Sequence, residues 1–245
     1  MNAHRIEAQE NKLDKPLPPL VIAIIPFYTA FFVGIFLFPV AGDWGWLQAW
    51  LFTISISLIL GVGYFLINRV NPRVLRNRMK VKKEGLTSAI RKSAGSDTFI
   101  MPIMAIGFFG AMLLPAIGRR FGWPEIPFWA SAAGLVVSSA GNALVLASMY
   151  QNAYASKILD INQEQKLVDS GLYGKVRHPL YSGAILMMLG TPIALGCAWG
   201  LIPAALSAFS LIWRIKFEEE MLVKGMAGYS DYQQRVRYKL IPGIY

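Results

Sequence analysis

The residues able to do chemistry gather in two stretches of this 245-residue chain. The first, residues 152–183, contains Gly171-x-Tyr173-x-x-x-Arg177-His178-Pro179-x-Tyr181-x-Gly183. The second, residues 214–245, opens on Arg214-Ile215-Lys216-Phe217-Glu218-Glu219-Glu220 and carries Tyr229 and Tyr232. Arg214 lies four residues before Glu218, on the same face of a helix. Two readings fit that spacing. One is a local Arg214–Glu218 pair with solvated glutamates. The other is a set of carboxylates that hold a cationic ligand group or orient an anionic substrate. Carboxylates at the end of a hydrophobic helix are costly unless they meet cations. His178 precedes Pro179, which biases its backbone away from helix. It therefore belongs to a shaped loop, as a structural histidine or a general base. Tyr173 and Tyr181 could stack on a ligand ring or anchor at a membrane interface.

The elements that must position these residues are apolar. The chain is 55% hydrophobic and only 16% charged, with a mean hydropathy of +0.43. Soluble domains carry about 25% charged residues, so a soluble globule and a disordered chain are both excluded. Cys197 is the single cysteine, which excludes a disulfide scaffold, and His4 and His178 are the only histidines, which argues against a Cys/His zinc site. An integral membrane enzyme, a small transporter or channel, and a structural membrane subunit remain.

A transmembrane helix needs about 20 mostly apolar residues. Residues 20–40, 46–67, 98–117 and 127–150 each qualify. A fifth stretch, 180–217, would be roughly 57 Å long as one helix, about twice the hydrocarbon core. Pro192, Gly196, Gly200 and Pro203 interrupt it. Two short helices joined near 196–200 account for both facts. The expected fold is all-α and polytopic, with about six transmembrane helices including a C-terminal helical hairpin. Residues 1–150 form an N-terminal four-helix transmembrane region, and 151–245 a C-terminal module of loop, hairpin and tail. The first apolar run is not expected to be a cleaved signal, because it is too long and Glu7, Glu10 and Asp14 precede it.

Net charge is +10, yet the basic residues sit in the breaks between apolar runs, which argues against nucleic acid as a partner. With six crossings the alternating sides collect 22 and 2 of the 24 Lys and Arg residues. Both termini are therefore expected in the cytoplasm. Trp44, Trp46, Trp123, Trp129 and Trp199 fall near the outer ends, where amphipathic rings prefer the interface. The basic segment 69–92 reads as an orientation and anionic-lipid element. Gly107 and Gly110, then Gly134, Ser138 and Gly141, then Gly183 and Gly190, read as close helix packing, and Asn142 as an interhelical hydrogen bond. Motifs for dinucleotides, P-loop phosphates, metalloproteases and serine hydrolases are missing. The apolar runs hold no acidic ladder, which counts against an ion pump or secondary transporter.

The ordered combination of Gly171, Tyr173, Arg177, His178, Pro179, Tyr181 and Gly183 with Arg214, Glu218 and Glu219, and then Tyr229 and Tyr232, resembles the signature of the isoprenylcysteine carboxyl methyltransferase family and the related phospholipid methyltransferases. The resemblance spans residues 151–245; residues 1–150 resemble bacterial members in helix layout. It implies S-adenosylmethionine as cofactor, bound at the cytosolic face. Cofactor residues implied are Gln165, Lys166, Leu167, Val168, Tyr173, His178, Pro179, Leu180, Tyr181 and Glu218. Arg214 and His178 are implied as catalytic, and Arg214 and Glu219 as facing the substrate. Two departures stand out: Gln165 replaces a frequent histidine, and residues 224–228 lack the usual Phe-Gly.

Methyl transfer is an in-line displacement that calls for no metal; it depends on alignment and exclusion of water. A carboxylate acceptor needs no base, whereas an amine or thiol must lose a proton. Arg214 points to a lipophilic carboxylate, with a phospholipid amine or a small thiol such as methanethiol as the rival acceptor. A non-catalytic membrane subunit or small transporter is the rival of another class. The expected partners are the lipid bilayer and a lipophilic or small-molecule methyl acceptor. The expected place is a bacterial inner membrane or an endoplasmic reticulum membrane.

Overall fold

The computed structural model describes residues 15–76, 97–152 and 167–245, and every regular element among them is helical. In chain order these are α1 (Pro19–Ala41), α2 (Leu47–Val70), α3 (Asp97–Arg120), α4 (Phe128–Gln151), α5 (Pro179–Ala194), a 3-10 turn (Ala198–Gly200), α6 (Leu201–Gly225) and α7 (Tyr229–Arg235). The first four match the four apolar runs to within three residues. Five helices are long and apolar enough to cross a membrane: α1 to α4, and Ala198–Gly225. The protein is an integral, multi-pass membrane protein. Its helices turn large apolar side chains outward, among them Leu20, Phe27 and Phe31 of α1 and Phe209 of α6, as lipid-facing helices do.

The expected hairpin forms, with unequal arms. α5 has 16 residues and α6 has 25. Pro192 sits in the last turn of α5, and Gly196 follows at φ 83°, a left-handed conformation that favours glycine. The amide of Cys197 donates to the Pro192 carbonyl at 3.0 Å, closing the reversal. At 1.5 Å per residue α5 spans about 24 Å, short of the ~30 Å hydrocarbon core, while α6 spans about 38 Å. Counted from the turn, His178 and Glu218 lie about 24 and 26 Å along their respective arms. The arithmetic of the hairpin thus brings the two polar stretches level.

The small residues make the seams. A Cβ on Gly183 would stand 2.7 Å from the Gly141 carbonyl oxygen, and one on Gly134 2.6 Å from the Ala194 amide. α4 and α5 therefore touch backbone to backbone, as small residues permit in lipid. α3 and α6 meet likewise at Gly107, and the Ser207 hydroxyl donates to the Met104 carbonyl at 2.6 Å. Asn142 departs from expectation. It donates to the Ser138 carbonyl of its own helix at 3.0 Å. Serines of α4 bond across helices: Ser138 with Thr191 of α5 at 3.3 Å, and Ser139 with Ser55 of α2 at 2.9 Å.

Candidate active site at the start of the hairpin

The loop before α5 is fixed from both sides. Gly171 has φ 61°, and a Cβ there would lie 2.6 Å from Gln151 Oε1, which accepts the Leu172 amide at 2.9 Å. Only glycine meets both demands without strain. On the other side the chain's C-terminal segment runs alongside. The amides of Arg177 and His178 donate to the carbonyls of Tyr238 and Lys239 at 3.0 and 2.9 Å. Ser182 Oγ donates to the Leu240 carbonyl at 2.7 Å, and the Tyr232 hydroxyl to the Tyr173 carbonyl at 2.7 Å. Pro179 opens α5, where its missing N–H costs nothing.

Glu218 and Glu219 are neighbours with different surroundings. Glu219 Oε1 accepts from Arg177 Nε at 2.6 Å and lies 3.2 Å from His178 Nε2, while Oε2 lies 3.2 Å from Lys239 Nζ. Arg177 Nη1 also donates to the carbonyls of Val236 and Arg237 at 2.7 and 2.8 Å. Glu219 is thereby enclosed, with its side chain 10% exposed. Glu218 is 24% exposed. It accepts the Tyr181 hydroxyl on Oε2, and Oε1 lies 4.0 Å from His178 Nδ1. The His178 and Tyr181 rings stack 5.5 Å apart at 8°.

Arg214 pairs with Asp97 rather than with Glu218. Its Nε and Nη2 donate to Asp97 Oδ1 and Oδ2 at 2.9 and 3.0 Å, and Nη1 donates to the Tyr181 hydroxyl at 2.6 Å. Both partners are buried. Such a paired fork is the geometry in which arginine binds a carboxylate.

Beyond the membrane span, Tyr229 and Tyr232 of α7 pack with Leu222 and Val236, and Leu167 covers them. The Tyr229 hydroxyl is buried and lacks a hydrogen-bond partner among the described residues. Burial, and then the charges of Glu219 and Glu218, push it well above its ordinary value of 10.0. Burial lifts Tyr232 in the same direction.

The hairpin start therefore brings His178, Tyr181, Arg214, Glu218 and Glu219 together. Pro179 is buried beside them, and Leu167 and Val168 are half-buried. Leu180 packs both on the cluster around Tyr181, Leu211 and Ile215 and on the one around Leu146 and Met149, and the Tyr173 hydroxyl reaches toward the Ser148 carbonyl at 3.5 Å. Gln165 and Lys166 lie outside the described residues. Asp97 and Lys239 were not singled out in the sequence. Asp97 stands at the edge of an apolar run, where an acidic residue reads as favourable to the helix dipole, and Lys239 as one more basic residue of the tail. A different feature lies between α2 and α4. An apolar groove of about 670 Å³, lined by Leu58, Val62, Leu66, Ala147 and Tyr150, ends at Gln151, the residue that holds the loop at Leu172.

These features define a class: polytopic helical membrane proteins with a charged site at one end of a short hairpin. Residues 129–227, from α4 to just beyond α6, match the family model described as phospholipid methyltransferase. Among solved structures, the eukaryotic intramembrane Ras methyltransferase, isoprenylcysteine carboxyl methyltransferase, is similar at 24% identity over 93% of this chain and 88% of that chain, with a TM-score of 0.42. No curated protein matches the chain.

Proposed function

We propose that the protein transfers a methyl group from S-adenosylmethionine to the amine of a lipophilic acceptor, at the cytosolic face of a bacterial inner membrane or an endoplasmic reticulum membrane. The observation that carries this reading is the division between the two glutamates. Glu219 is enclosed by Arg177, His178 and Lys239, while Glu218 is open and keeps Oε1 for a cationic group. The Tyr229 hydroxyl, buried and without a partner among the described residues, is a second polar atom that a ligand would satisfy. The residues present therefore fit the cofactor.

S-adenosylmethionine, when bound, supplies a methyl group on a sulfonium. Glu218 would hold its ammonium, with Tyr181 fixing the carboxylate by a hydrogen bond. His178 sets Nε2 3.2 Å from Glu219 Oε1; in the tautomer with the proton on Nε2, Nδ1 offers its lone pair. Nδ1 is thereby suited to take a proton from the acceptor nitrogen. Two observations favour an amine over a carboxylate acceptor. A proton acceptor is at hand, and the carboxylate-binding edge of Arg214 is filled by Asp97. The α2–α4 groove, ending next to the loop before α5, supports a lipid chain on the acceptor. The domains divide accordingly: residues 1–150 supply the groove and Asp97, and 151–245 supply the cofactor residues.

Calorimetric titration of S-adenosylhomocysteine into the detergent-purified protein tests this reading. Micromolar-range binding that Glu218→Ala abolishes, with helicity retained, is the expected result. A folded wild type that binds nothing overturns it. Label transfer from S-adenosylmethionine to phosphatidylethanolamine vesicles, compared with N-acetyl-S-farnesylcysteine, then separates amine from carboxylate.

A further inference from the structure

We propose that Asp97 is a positioning residue of the cofactor site: by holding the Arg214 guanidinium it keeps that cation off Glu218, leaving Glu218 open to the ligand's ammonium. The inference deepens the methyl-transfer reading above and rests on it. Asp97 opens α3, 117 positions before Arg214 and outside the matched stretch 129–227.

The physical argument is a competition. Arg214 and Glu218 stand four residues apart on one helix, a spacing at which arginine and carboxylate pair. A buried guanidinium is costly without a counter-charge. If Asp97 were neutral, the nearest carboxylate on its own helix would be Glu218. Pairing there would cover the group that the ligand needs. In the structure Asp97 prevents this with both oxygens, taking Nε and Nη2 at 2.9 and 3.0 Å. Its side chain is 1% exposed and that of Arg214 is 4% exposed, so water does not weaken the hold.

The remaining Arg214 contact points the same way. A guanidinium donates hydrogen bonds and accepts none. With Nη1 donating to the Tyr181 oxygen at 2.6 Å, the single Tyr181 proton is directed to Glu218 Oε2. Glu218 thus receives a neutral hydroxyl where the helical spacing would give it a cation. Its charge is retained for the ligand. Arg214 acts as donor to Tyr181 only while Asp97 fixes it.

Four proteins test the competition by titration with S-adenosylhomocysteine: wild type, Asp97→Asn, Arg214→Gln and the double variant. Asp97→Asn should bind about tenfold more weakly, the scale of one charge-assisted contact. The double variant, with no cation to capture Glu218, should regain affinity over Asp97→Asn and should equal Arg214→Gln. A purely structural role would not produce that rescue. Asp97→Asn with wild-type affinity, or a double variant no better than Asp97→Asn, overturns the proposal. If Asp97→Asn fails to fold, the comparison of Arg214→Gln with the double variant still decides, and a further loss in the double overturns it. Wild type that binds no S-adenosylhomocysteine overturns the methyl-transfer reading and this role with it; wild type that binds, beside an unaffected Asp97→Asn, overturns this role alone.

Discussion

The two ends of the helical bundle hold clusters of the same residue types in opposite circumstances. At the end where α5 begins, Arg177, His178, Arg214, Asp97 and Glu219 have side chains from 1% to 10% exposed. At the other end, Arg119 of α3 reaches Asp43 in the α1–α2 turn at 2.9 Å and pairs with Glu125 in the loop before α4. There the side chains are 33% to 39% exposed. Solvent screens the second cluster and not the first. Burial raises the cost of breaking a pair, because the abandoned charge has no water to turn to. One cluster ties loops together; the other is a site whose charges hold one another in place.

The largest difference should appear when each arginine is removed. Arg177→Ala leaves Glu219 in a buried place and strips donors from two carbonyls. It should cost about 3–5 kcal/mol, read as a collapse of the folded fraction in denaturant titrations of the detergent-solubilised protein. A cost near zero would place Glu219 in contact with water and undo the contrast.

An intermediate effect is expected at alkaline pH. Tyr229 and Tyr232 are held well above their ordinary 10.0 by burial. Their contribution to stability is therefore complete below pH 10 and is lost as pH rises beyond it, when the unfolded chain ionises first. Melting temperature should hold up to that point and then fall. Tyr229→Phe should shrink the fall at no cost near neutrality, since the lost hydroxyl has no partner among the described residues.

The smallest effect belongs to the exposed cluster. Arg119→Ala should cost no more than about 1 kcal/mol. The hydrogen bond from Arg119 holds the Asp43 carboxyl below its ordinary 3.8. That contribution exists above pH 3.8 and fades as pH falls below it. Arg119→Ala should flatten only this acid limb of the melting profile. A neutral-pH loss as large as that of Arg177→Ala would erase the distinction between the two ends.

Much of this architecture is legible in the chain. The apolar runs mark α1 to α4 because lipid demands about 20 apolar residues per crossing. Pro192 and Gly196 mark the break between α5 and α6 because neither sustains a regular helix there. The motif glycines also have local reasons, Gly171 for its left-handed turn and Gly183 for the α4–α5 seam. The lengths of the hairpin arms were less legible. Hydropathy does not reveal that α5 stops near 24 Å while α6 continues into its charged end.

The sequence by itself determined that the chain is helical and polytopic, and that its polar residues, His178, Arg214, Glu218 and Glu219 among them, lie on both sides of one hairpin. Those properties follow from composition and local spacing. Tertiary structure alone decided which charge meets which. The helical spacing offered Glu218 to Arg214, and packing gave it Asp97. Two adjacent glutamates, alike in sequence, became one enclosed and one open, because the C-terminal segment lays Lys239 and its carbonyls along one side only. Pairings across more than a hundred residues arise from how helices pack, and buried charges take the partner whose geometry satisfies them best.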